Sequence, residues 1–395
     1  MFGAAANRVR RKPTYWPYII NGLQRFNHRY TVFSRARWEA DLIRLRALQT
    51  EIAIGKMRRN MEGFSQVEQA LRDASWYIER CFGSSASGLT DRGLYSWSSQ
   101  DPNAGRFGKM RVELAPEEAS LRVKYAARLF GADLVGICEL NRNWLYSRIY
   151  DWEKGEIVDV DKLIPEDFRY AVALAVAMDY ELMKSRFSLA GAATGLGYSH
   201  MAVVASLVAE FIRRLGYKAI PLGNDVALSI PIAVDAGLGE LGRNGLLITP
   251  EYGPRVRLCK VLTDLPLKPD EPIDFGVQAF CEVCEKCAER CPPHAISRGS
   301  RSEWVDELSS GRGVLKWPVN PLKCYRYWCA SGVDCAICVA VCPFNKPSTA
   351  IHKVARWLVK NLPPFNRVLV WLDDVLGYGK LIDTETFWKR VRASF

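Results

Sequence analysis

Two groups of cysteines near the C-terminal end carry the clearest chemical signal in this chain. The first group has the spacing C-x2-C-x2-C-x3-C-P and consists of Cys281, Cys284, Cys287 and Cys291. The second group consists of Cys324, Cys335, Cys338 and Cys342, with a proline after Cys342. The first spacing is typical of proteins that hold two [4Fe–4S] clusters, in which three thiolates bind one cluster and the fourth binds its neighbour. The sequence therefore predicts a protein that transfers electrons.

The same spacing predicts which cysteines hold which cluster. Cluster 1 is expected to be held by Cys281, Cys284, Cys287 and Cys342. Cluster 2 is expected to be held by Cys291, Cys335, Cys338 and a fourth cysteine, which is either Cys324, the residue we favour, or Cys329. A zinc site would show isolated C-x2-C pairs. Disulfides need an oxidising compartment and do not explain the spacing.

Length and composition set wider bounds on the function. The chain has 395 residues, 49% of them hydrophobic, which is enough for two or three domains with a large core. Its net charge of +11 suits binding to nucleic acid, to an anionic membrane surface or to an acidic electron donor, and the charge alone does not distinguish these partners. We expect no apolar run as long as a membrane span.

The periodicity of apolar residues predicts the order of the elements. Helices are expected at 39–56, 66–82, 116–130 and 197–216, and strands at 133–138, 170–178, 218–221, 245–249 and 256–262. This alternation predicts a layered α/β or α+β domain. We expect four units: an N-terminal helical and loop unit (1–110), a central domain (111–274), a two-cluster domain (275–346) and a C-terminal helical tail (347–395).

Several longer segments resemble the corrinoid-dependent reductive dehalogenases. They are DRGLYSW (91–97), ADLVGICELN (132–141), GLGYSHM (195–201), IPLGND (220–225) and the long glycine-rich block at 235–267. The resemblance extends from KPT at residues 12–14 to GYGK at residues 377–380. It implies an α+β fold in which a nitroreductase-like, cobalamin-binding α/β sandwich carries an inserted ferredoxin-like domain with the two clusters.

The resemblance also implies the cofactors, the reaction and the partners. Cobalamin is expected to bind base-off, in agreement with the absence of a D-x-H-x-x-G motif. Electrons are expected to pass through the two [4Fe–4S] clusters to cobalt, and a proton replaces the halide that leaves an apolar organohalide. The expected partners are a membrane-anchor protein and an electron donor, and no nucleic acid.

The cellular location stays open between two alternatives. The first residues contain adjacent arginines but no hydrophobic segment after them, so they do not form a complete export signal. The resemblance favours a mature, exported chain at the outer face of the cytoplasmic membrane, and the alternative is the cytoplasm.

Three residues are candidates for the chemistry of the reaction. The resemblance implies that Tyr198 is the proton donor and that Asn224 orients the substrate or the tyrosine. A positive charge near the phenol would ease release of its proton, and Arg257, or alternatively Arg255, is the candidate for that charge. Without the resemblance, Tyr198 is an ordinary helix tyrosine, Asn224 a turn residue and the two arginines solvated charges on a strand.

The cofactor-binding set implied by the resemblance is larger. It adds Thr194, Gly223 and Trp328 to the three catalytic candidates, and Trp328 is expected to wall an apolar substrate pocket. The glycines at 237, 239 and 242 could allow close approach of a flat macrocycle, or they could be turn glycines.

Two other functions compete with this interpretation. A cobalamin-dependent epoxyqueuosine reductase, which acts on tRNA, would explain the basic charge and share the cysteine arrangement. A non-catalytic carrier with two clusters would explain the cysteines alone. The dehalogenase-like segments argue against the first, and the long chain before Cys281 argues against the second.

Overall fold

A computed structural model describes residues 22–83, 91–104, 111–152, 154–303, 307–347 and 349–394. Residues 12–14, where the resemblance begins, and the arginines near the start lie outside these described residues. The α-helices are α1 (Val32–Trp38), α2 (Ala40–Arg58), α3 (Gln66–Ser75), α4 (Pro116–Leu129), α5 (Val160–Leu163), α6 (Tyr180–Lys184), α7 (Phe187–Arg214), α8 (Ser229–Asp235), α9 (Val277–Val283), α10 (Lys286–Glu289), α11 (Pro321–Ser331), α12 (Ile337–Ala340), α13 (Ala350–Asn361), α14 (Asn366–Val375) and α15 (Thr384–Ser394).

The strands form one central sheet and two small hairpins. They are β1 (Leu134–Glu139), β2 (Arg148–Asp151), β3 (Glu156–Asp159), β4 (Tyr170–Ala177), β5 (Ala219–Leu222), β6 (Glu240–Leu241), β7 (Leu247–Ile248) and β8 (Val256–Thr263). The central sheet has the order β1-β4-β8-β5, and every neighbouring pair is antiparallel. The fold is therefore α+β.

Side chains on the two faces of this sheet pack against different elements. On one face, Val172, Leu174 and Val261 pack against α4 and α7. On the other face, Ala173 and Leu262 pack against α8 and the segment before β2. Because successive side chains of a strand alternate between faces, β8 directs Arg257 and Cys259 to the α7 side and Lys260 to the α8 side.

Helix α7 begins ten residues earlier than the sequence analysis predicted. The extra turns contain Gly191 and Gly195, which have low helix propensity. They are tolerated because an added Cβ at Gly191 would lie 2.9 Å from Arg72 Nε, so the glycine lets α3 approach closely. Tertiary packing therefore overrides local propensity in this helix.

The expectation that no apolar segment reaches membrane-span length was wrong for α7. By length and composition, Phe187–Arg214 is long and apolar enough to cross a membrane, and it is the helix with this property among the described residues. Its most apolar window is 56% buried, because α7 lies against the central sheet and α3. These contacts are typical of a core helix.

Two other elements differ from their predicted bounds. The helix expected over 66–82 ends at Ser75, and a π-helical turn follows at Glu79–Gly83. The strand expected over 245–249 is reduced to Leu247–Ile248, which pairs with β6.

The cysteine groups lie in a segment of short helices after the central sheet. Helix α11 packs against α2, so the N-terminal helices cover part of this segment. Helices α13 and α14 pack against α9 on another side of it. Buried Glu240 of β6 accepts hydrogen bonds from the backbone N–H groups of Phe275 (2.7 Å) and Val277 (3.2 Å), which fixes the start of α9 relative to the central sheet.

Candidate active site

Tyr198 lies on α7, and its side chain is contacted by side chains from other elements of the fold. The ring is half-buried, and Asn224, on the loop after β5, is exposed. Asn224 Nδ2 donates a hydrogen bond to Tyr198 Oη at 2.9 Å. The phenolic oxygen is the acceptor in this contact, so its own proton remains available for another acceptor.

Two further side chains contact the Tyr198 ring. The indole of Trp76 stacks on it with centroids 5.0 Å apart and an interplanar angle of 23°. The guanidinium of Arg257 lies 4.8 Å from the ring centroid, in cation–π contact. Trp76 was not among the predicted site residues.

Glycines of α7 make this arrangement possible. An added Cβ at Gly195 would lie 2.3 Å from Trp76 Cδ1, and one at Gly197 would lie 2.8 Å from Arg257 Cγ. Any larger residue would displace the indole or the guanidinium. The glycines of the GLGY motif therefore provide the space in which the Tyr198 ring acquires its neighbours.

Arg257 and Arg255 have different surroundings. Arg257 Nη2 donates to Thr194 Oγ1 at 3.2 Å, while its buried Nε has no partner in the structure. Arg255 Nη1 donates to the carbonyl of Met178 at 2.8 Å, and its guanidinium lies over the rings of Tyr180 and Tyr252. The structure thus brings Arg257, and not Arg255, to Tyr198.

A buried lysine holds the loop that carries Asn224. Lys260 is 1% exposed, and its Nζ donates to the carbonyls of Gly223 and Ala227 (2.7 Å) and to Ser229 Oγ (3.0 Å). Burial lowers the pKa of Lys260 to about 8. Asp225 Oδ1 accepts from Gly223 N–H at 2.9 Å, so the turn is bound from both sides.

The cysteines predicted for cluster 1 line one cavity. Cys281, Cys284, Cys287 and Cys342 surround it together with Phe280, Phe344 and Ile248. Buried Arg243 donates from Nε and Nη2 to the carbonyl of Cys281 at 3.0 and 2.9 Å, which fixes the loop of the first cysteine. Four thiols around an apolar cavity are a donor set that fits a [4Fe–4S] cluster.

The cysteines predicted for cluster 2 are also neighbours. Burial raises the pKa of the Cys324 thiol to about 12, and the nearby thiols of Cys335 and Cys291 add to this effect. Burial and the thiols of Cys335, Cys324 and Cys291 likewise raise the pKa of Cys338. Cys329 instead packs against Val32, Ala36, Leu42 and Tyr325. The structure brings Cys324, and not Cys329, to this group.

These cysteine groups do not form single-ion sites. Within the part of the chain that the structure describes, no three His, Cys, Asp or Glu side chains converge on a position for one metal ion. A [4Fe–4S] cluster has no such requirement, because each of its thiolates binds a different iron.

Trp328 lies apart from the contacts of Tyr198. It is beside Cys324, and its ring centroid is 5.9 Å from that of Phe33. Its contribution to a substrate pocket stays a prediction.

The glycines at 237, 239 and 242 contact protein atoms. An added Cβ at Gly239 would lie 2.1 Å from the carbonyl oxygen of Ile248, and one at Gly237 would lie 2.5 Å from that of Glu271. Packing within the chain therefore accounts for two of these glycines.

Three residues of the site were missed by sequence reasoning: Trp76, Lys260 and Arg243. Lys260 had a detectable signal, since it is a charge in the otherwise apolar segment CKVL of β8. Arg243 belongs to the glycine-rich block, which was recognised without assigning a role to its charge. Trp76 comes from a distant helix, and no local pattern indicated its contact with Tyr198.

A buried ion-pair network joins the C-terminal tail to residues 277–287 and 342–346, here called the cluster 1 segment. Asp373 of α14 is 5% exposed, and its two carboxylate oxygens each lie 2.6 Å from a lysine Nζ, one from Lys286 and one from Lys346. Lys286 lies between Cys284 and Cys287, and Lys346 follows Cys342. The Nζ of Lys286 is also 2.7 Å from Oδ1 of Asp374, whose side chain is largely exposed.

This chain has relatives among known proteins over most of its length. No protein-family model matches it. The tetrachloroethene reductive dehalogenase of Sulfurospirillum multivorans is 36% identical over 364 residues, which cover 84% of this chain and 72% of the relative. The tetrachloroethene reductive dehalogenase of Dehalobacter restrictus is 36% identical over 384 residues, covering 82% and 70%. An epoxyqueuosine reductase of Lactococcus garvieae matches over 123 residues, or 30% of this chain, at 32% identity.

Solved structures give the same result. The catabolic reductive dehalogenase NpRdhA in complex with 3-bromo-4-hydroxybenzoic acid matches 93% of this chain with a TM-score of 0.66 and 25% identity. A reductive dehalogenase structure described in terms of B12-dependent dehalogenation matches 92% with a TM-score of 0.65. This chain spans about half the length of those two, 49% and 47%. From the extent and identity of the curated matches, the chain belongs to the reductive dehalogenase family, whose members are oxidoreductases.

Proposed function

We propose that this protein removes halide reductively from a small apolar organohalide, using cobalamin and two [4Fe–4S] clusters. The observation that carries the proposal is the group formed by Tyr198, Asn224 and Arg257, within a chain that also assembles two sets of four cysteines. The curated relatives are named for dehalogenation of tetrachloroethene, so a chlorinated ethene is the first substrate to test.

The residues proposed to hold the cofactors fit those groups. The two cysteine sets are the cluster ligands, with Cys324 as the fourth ligand of cluster 2. Thr194, Gly223, Asn224 and Arg257 are proposed to contact the cobalamin, and the buried, unpartnered Nε of Arg257 is a donor available to a bound group. When bound, cobalamin supplies the reducing metal and the clusters supply its electrons.

Tyr198 is proposed to deliver the proton that replaces the halide. The Asn224 amide donates to Oη, and the Arg257 guanidinium lies over the ring, so both contacts stabilise the phenolate that remains after proton transfer. Trp76 and the glycines of α7 hold the ring in place, and Lys260 holds the loop of Asn224. The chain's own residues thus orient the donor and keep its proton directed away from Asn224.

The proposal also covers the division of the fold, the substrate pocket, the partners and the cellular location. We propose that the sheet with helices on both faces is a nitroreductase-like sandwich, that a ferredoxin-like domain is inserted into it, and that the boundaries predicted from the sequence delimit these units. Trp328 is proposed to wall the substrate pocket. On the basis of the resemblance we also propose an electron donor, a membrane-anchor protein and a location at the outer face of the cytoplasmic membrane, with the cytoplasm as the alternative.

The test is chloride release from tetrachloroethene by the anaerobically reconstituted protein with reduced methyl viologen. Tyr198→Phe is compared with Tyr125→Phe. Tyr125 lies on α4, is 69% exposed and has no proposed part in the reaction. General acids contribute a factor of about 10² to 10⁴, so Tyr198→Phe should lower kcat by at least about 100-fold. Wild-type turnover in Tyr198→Phe, with cofactor content unchanged, would remove Tyr198 from the mechanism.

A further inference from the structure

Helix α14 directs a row of apolar side chains towards solvent, although Leu369 and Val370 on its inner side pack against the core around Phe344. Its exposed apolar residues lie at positions i, i+3, i+4, i+7 and, just past the helix end, i+8, the spacing of one helical face. They are Val368 (46% exposed), Trp371 (60%), Leu372 (37%), Val375 (61%) and Leu376 (61%). In a surface helix of a soluble domain this face normally points into the core.

The preceding helix and turn extend the same apolar surface. Ile351, Val354 and Trp357 of α13 are 58–64% exposed and share one face by their spacing of three. Leu362 and Phe365, in the turn between the helices, are 39% and 50% exposed. Since α13 and α14 contact each other, these residues form one surface, here called the tail surface. Large contiguous apolar patches are rare on monomers and mark interaction sites.

The orientation of α14 is set by its inner side. Asp373 is buried there and bound by Lys286 and Lys346, and Asn366 is 1% exposed. Rotating α14 to bury the apolar residues would expose this ion-pair network and break it. The outward apolar face is therefore a consequence of how the tail is attached to the cluster 1 segment.

The charges around the tail surface are basic. Within residues 350–380 the exposed ionisable cations are Lys353, Lys360, Arg367 and Lys380. The acids of the same stretch are Asp373, which is buried, and Asp374, which is bound to Lys286. The free charge bordering the apolar residues is thus positive, and it complements an anionic surface.

This composition favours a lipid surface over another protein. Lysine is depleted at protein–protein interfaces, whereas lysines and arginines beside Trp, Phe and Leu are typical of helices that lie in the membrane interface. Tryptophan is enriched at the level of the lipid headgroups, and the tail surface carries Trp357 and Trp371.

We propose that the tail surface docks the protein onto an anionic phospholipid membrane. Helices α13 and α14 then lie in the plane of the membrane interface. Their exposed apolar residues reach the boundary between headgroups and acyl chains, and their basic residues contact the headgroups. Because α9 and Lys286 belong to the cluster 1 segment and contact this tail, docking places cluster 1 on the membrane side of the protein. The proposal does not depend on which substrate is reduced.

The experiment is flotation of the reconstituted 395-residue chain with vesicles. Vesicles of phosphatidylcholine with phosphatidylglycerol are compared with vesicles of phosphatidylcholine alone. The variant Trp371→Ser/Val375→Ser removes apolar side chains from the tail surface. The matched control is Leu121→Ser/Leu129→Ser on α4, where the two leucines are 63% and 68% exposed. Iron content and circular dichroism establish that both variants fold.

We expect wild type and the α4 control to bind anionic vesicles equally and the tail variant to bind at least about tenfold more weakly. Lys353→Gln/Lys360→Gln should weaken binding by about fivefold per charge removed and reduce the preference for phosphatidylglycerol. Turnover in solution should be the same for all variants.

Two outcomes would overturn the proposal. One is the absence of wild-type binding to anionic vesicles, or equal binding by a folded tail variant. The other is a wild-type dimer in sedimentation velocity that the tail variant converts to monomer while neither binds vesicles, since a second copy would then cover this surface.

Discussion

Replacing Asp373 with asparagine should loosen the C-terminal tail far more than the same change at its neighbour. Asp373→Asn removes the negative charge that faces Lys286 and Lys346 in a buried position. Lys346 then keeps its contact over the Tyr378 ring, and Lys286 keeps Asp374. Removing one member of a buried ion pair costs about 3–5 kcal/mol, because the remaining charge is left without compensation.

Asp374→Asn is the matched control for this change. It removes a carboxylate from the same helix and from the same lysine, but the Asp374 side chain is 63% exposed. An exposed ion pair contributes about 0–1 kcal/mol. The two carboxylates differ in burial and in that Asp373 also binds Lys346, so we expect the costs of the two variants to differ by several kcal/mol.

Hydrogen–deuterium exchange of α14 peptides measures this difference locally and needs no two-state unfolding of the whole protein. A cost of 3–5 kcal/mol corresponds to exchange about 10² to 4 × 10³ times faster in Asp373→Asn, against less than about fivefold in Asp374→Asn. Equal exchange in the two variants would refute the reasoning. The double variant Asp373→Asn/Lys346→Met should recover much of the protection, since it removes the unpaired charge as well.

Two further predictions concern the clusters and the loop of Asn224. Cys324→Ser should lower the iron content and the EPR signal of cluster 2, whereas Cys329→Ser should leave both unchanged; the reverse pattern would exchange the two assignments. Burial lowers the pKa of Lys260 from 10.5 in the unfolded chain to about 8 in the folded chain, so between these values the unfolded state binds more protons and stability rises with pH. The free energy of unfolding should rise by about 3 kcal/mol in total, seen as a higher urea midpoint of the wild type between about pH 8 and 10. Lys260→Met should lack this rise. A difference in midpoint between the two proteins that stays constant with pH would contradict the prediction.

Much of the sheet could be predicted from the sequence, because its strands are apolar runs with clear limits. The segments predicted at 133–138, 170–178 and 256–262 correspond closely to β1, β4 and β8. The start of α7 could not be predicted, because Gly191 and Gly195 disfavour a helix locally and are needed for close contacts with Arg72 and Trp76, which come from another part of the chain.

The candidate site shows the same limit. The cysteine spacing, with Tyr198 and Asn224 in their motifs, was accessible because each signal is local in the chain. The choice between Arg255 and Arg257 depends on where β8 begins, since Arg255 lies just before the strand and Arg257 within it. The stacking of Trp76 depends on a contact between the α3 region and α7. The exposed apolar face of α14 could not be predicted for another reason. Periodicity identifies an apolar face of a helix but does not say whether that face is buried.

The central claim is that this chain reduces organohalides with cobalamin and two clusters. The most direct test is to reconstitute the protein anaerobically with iron and sulfide, with or without cobalamin, and to measure metal content, EPR spectrum and chloride release from tetrachloroethene. We expect about eight iron atoms and about one cobalt per chain, a base-off cobalamin signal, and chloride release only when cobalamin is present. A folded protein that holds its iron but takes up no cobalt and releases no chloride would contradict it.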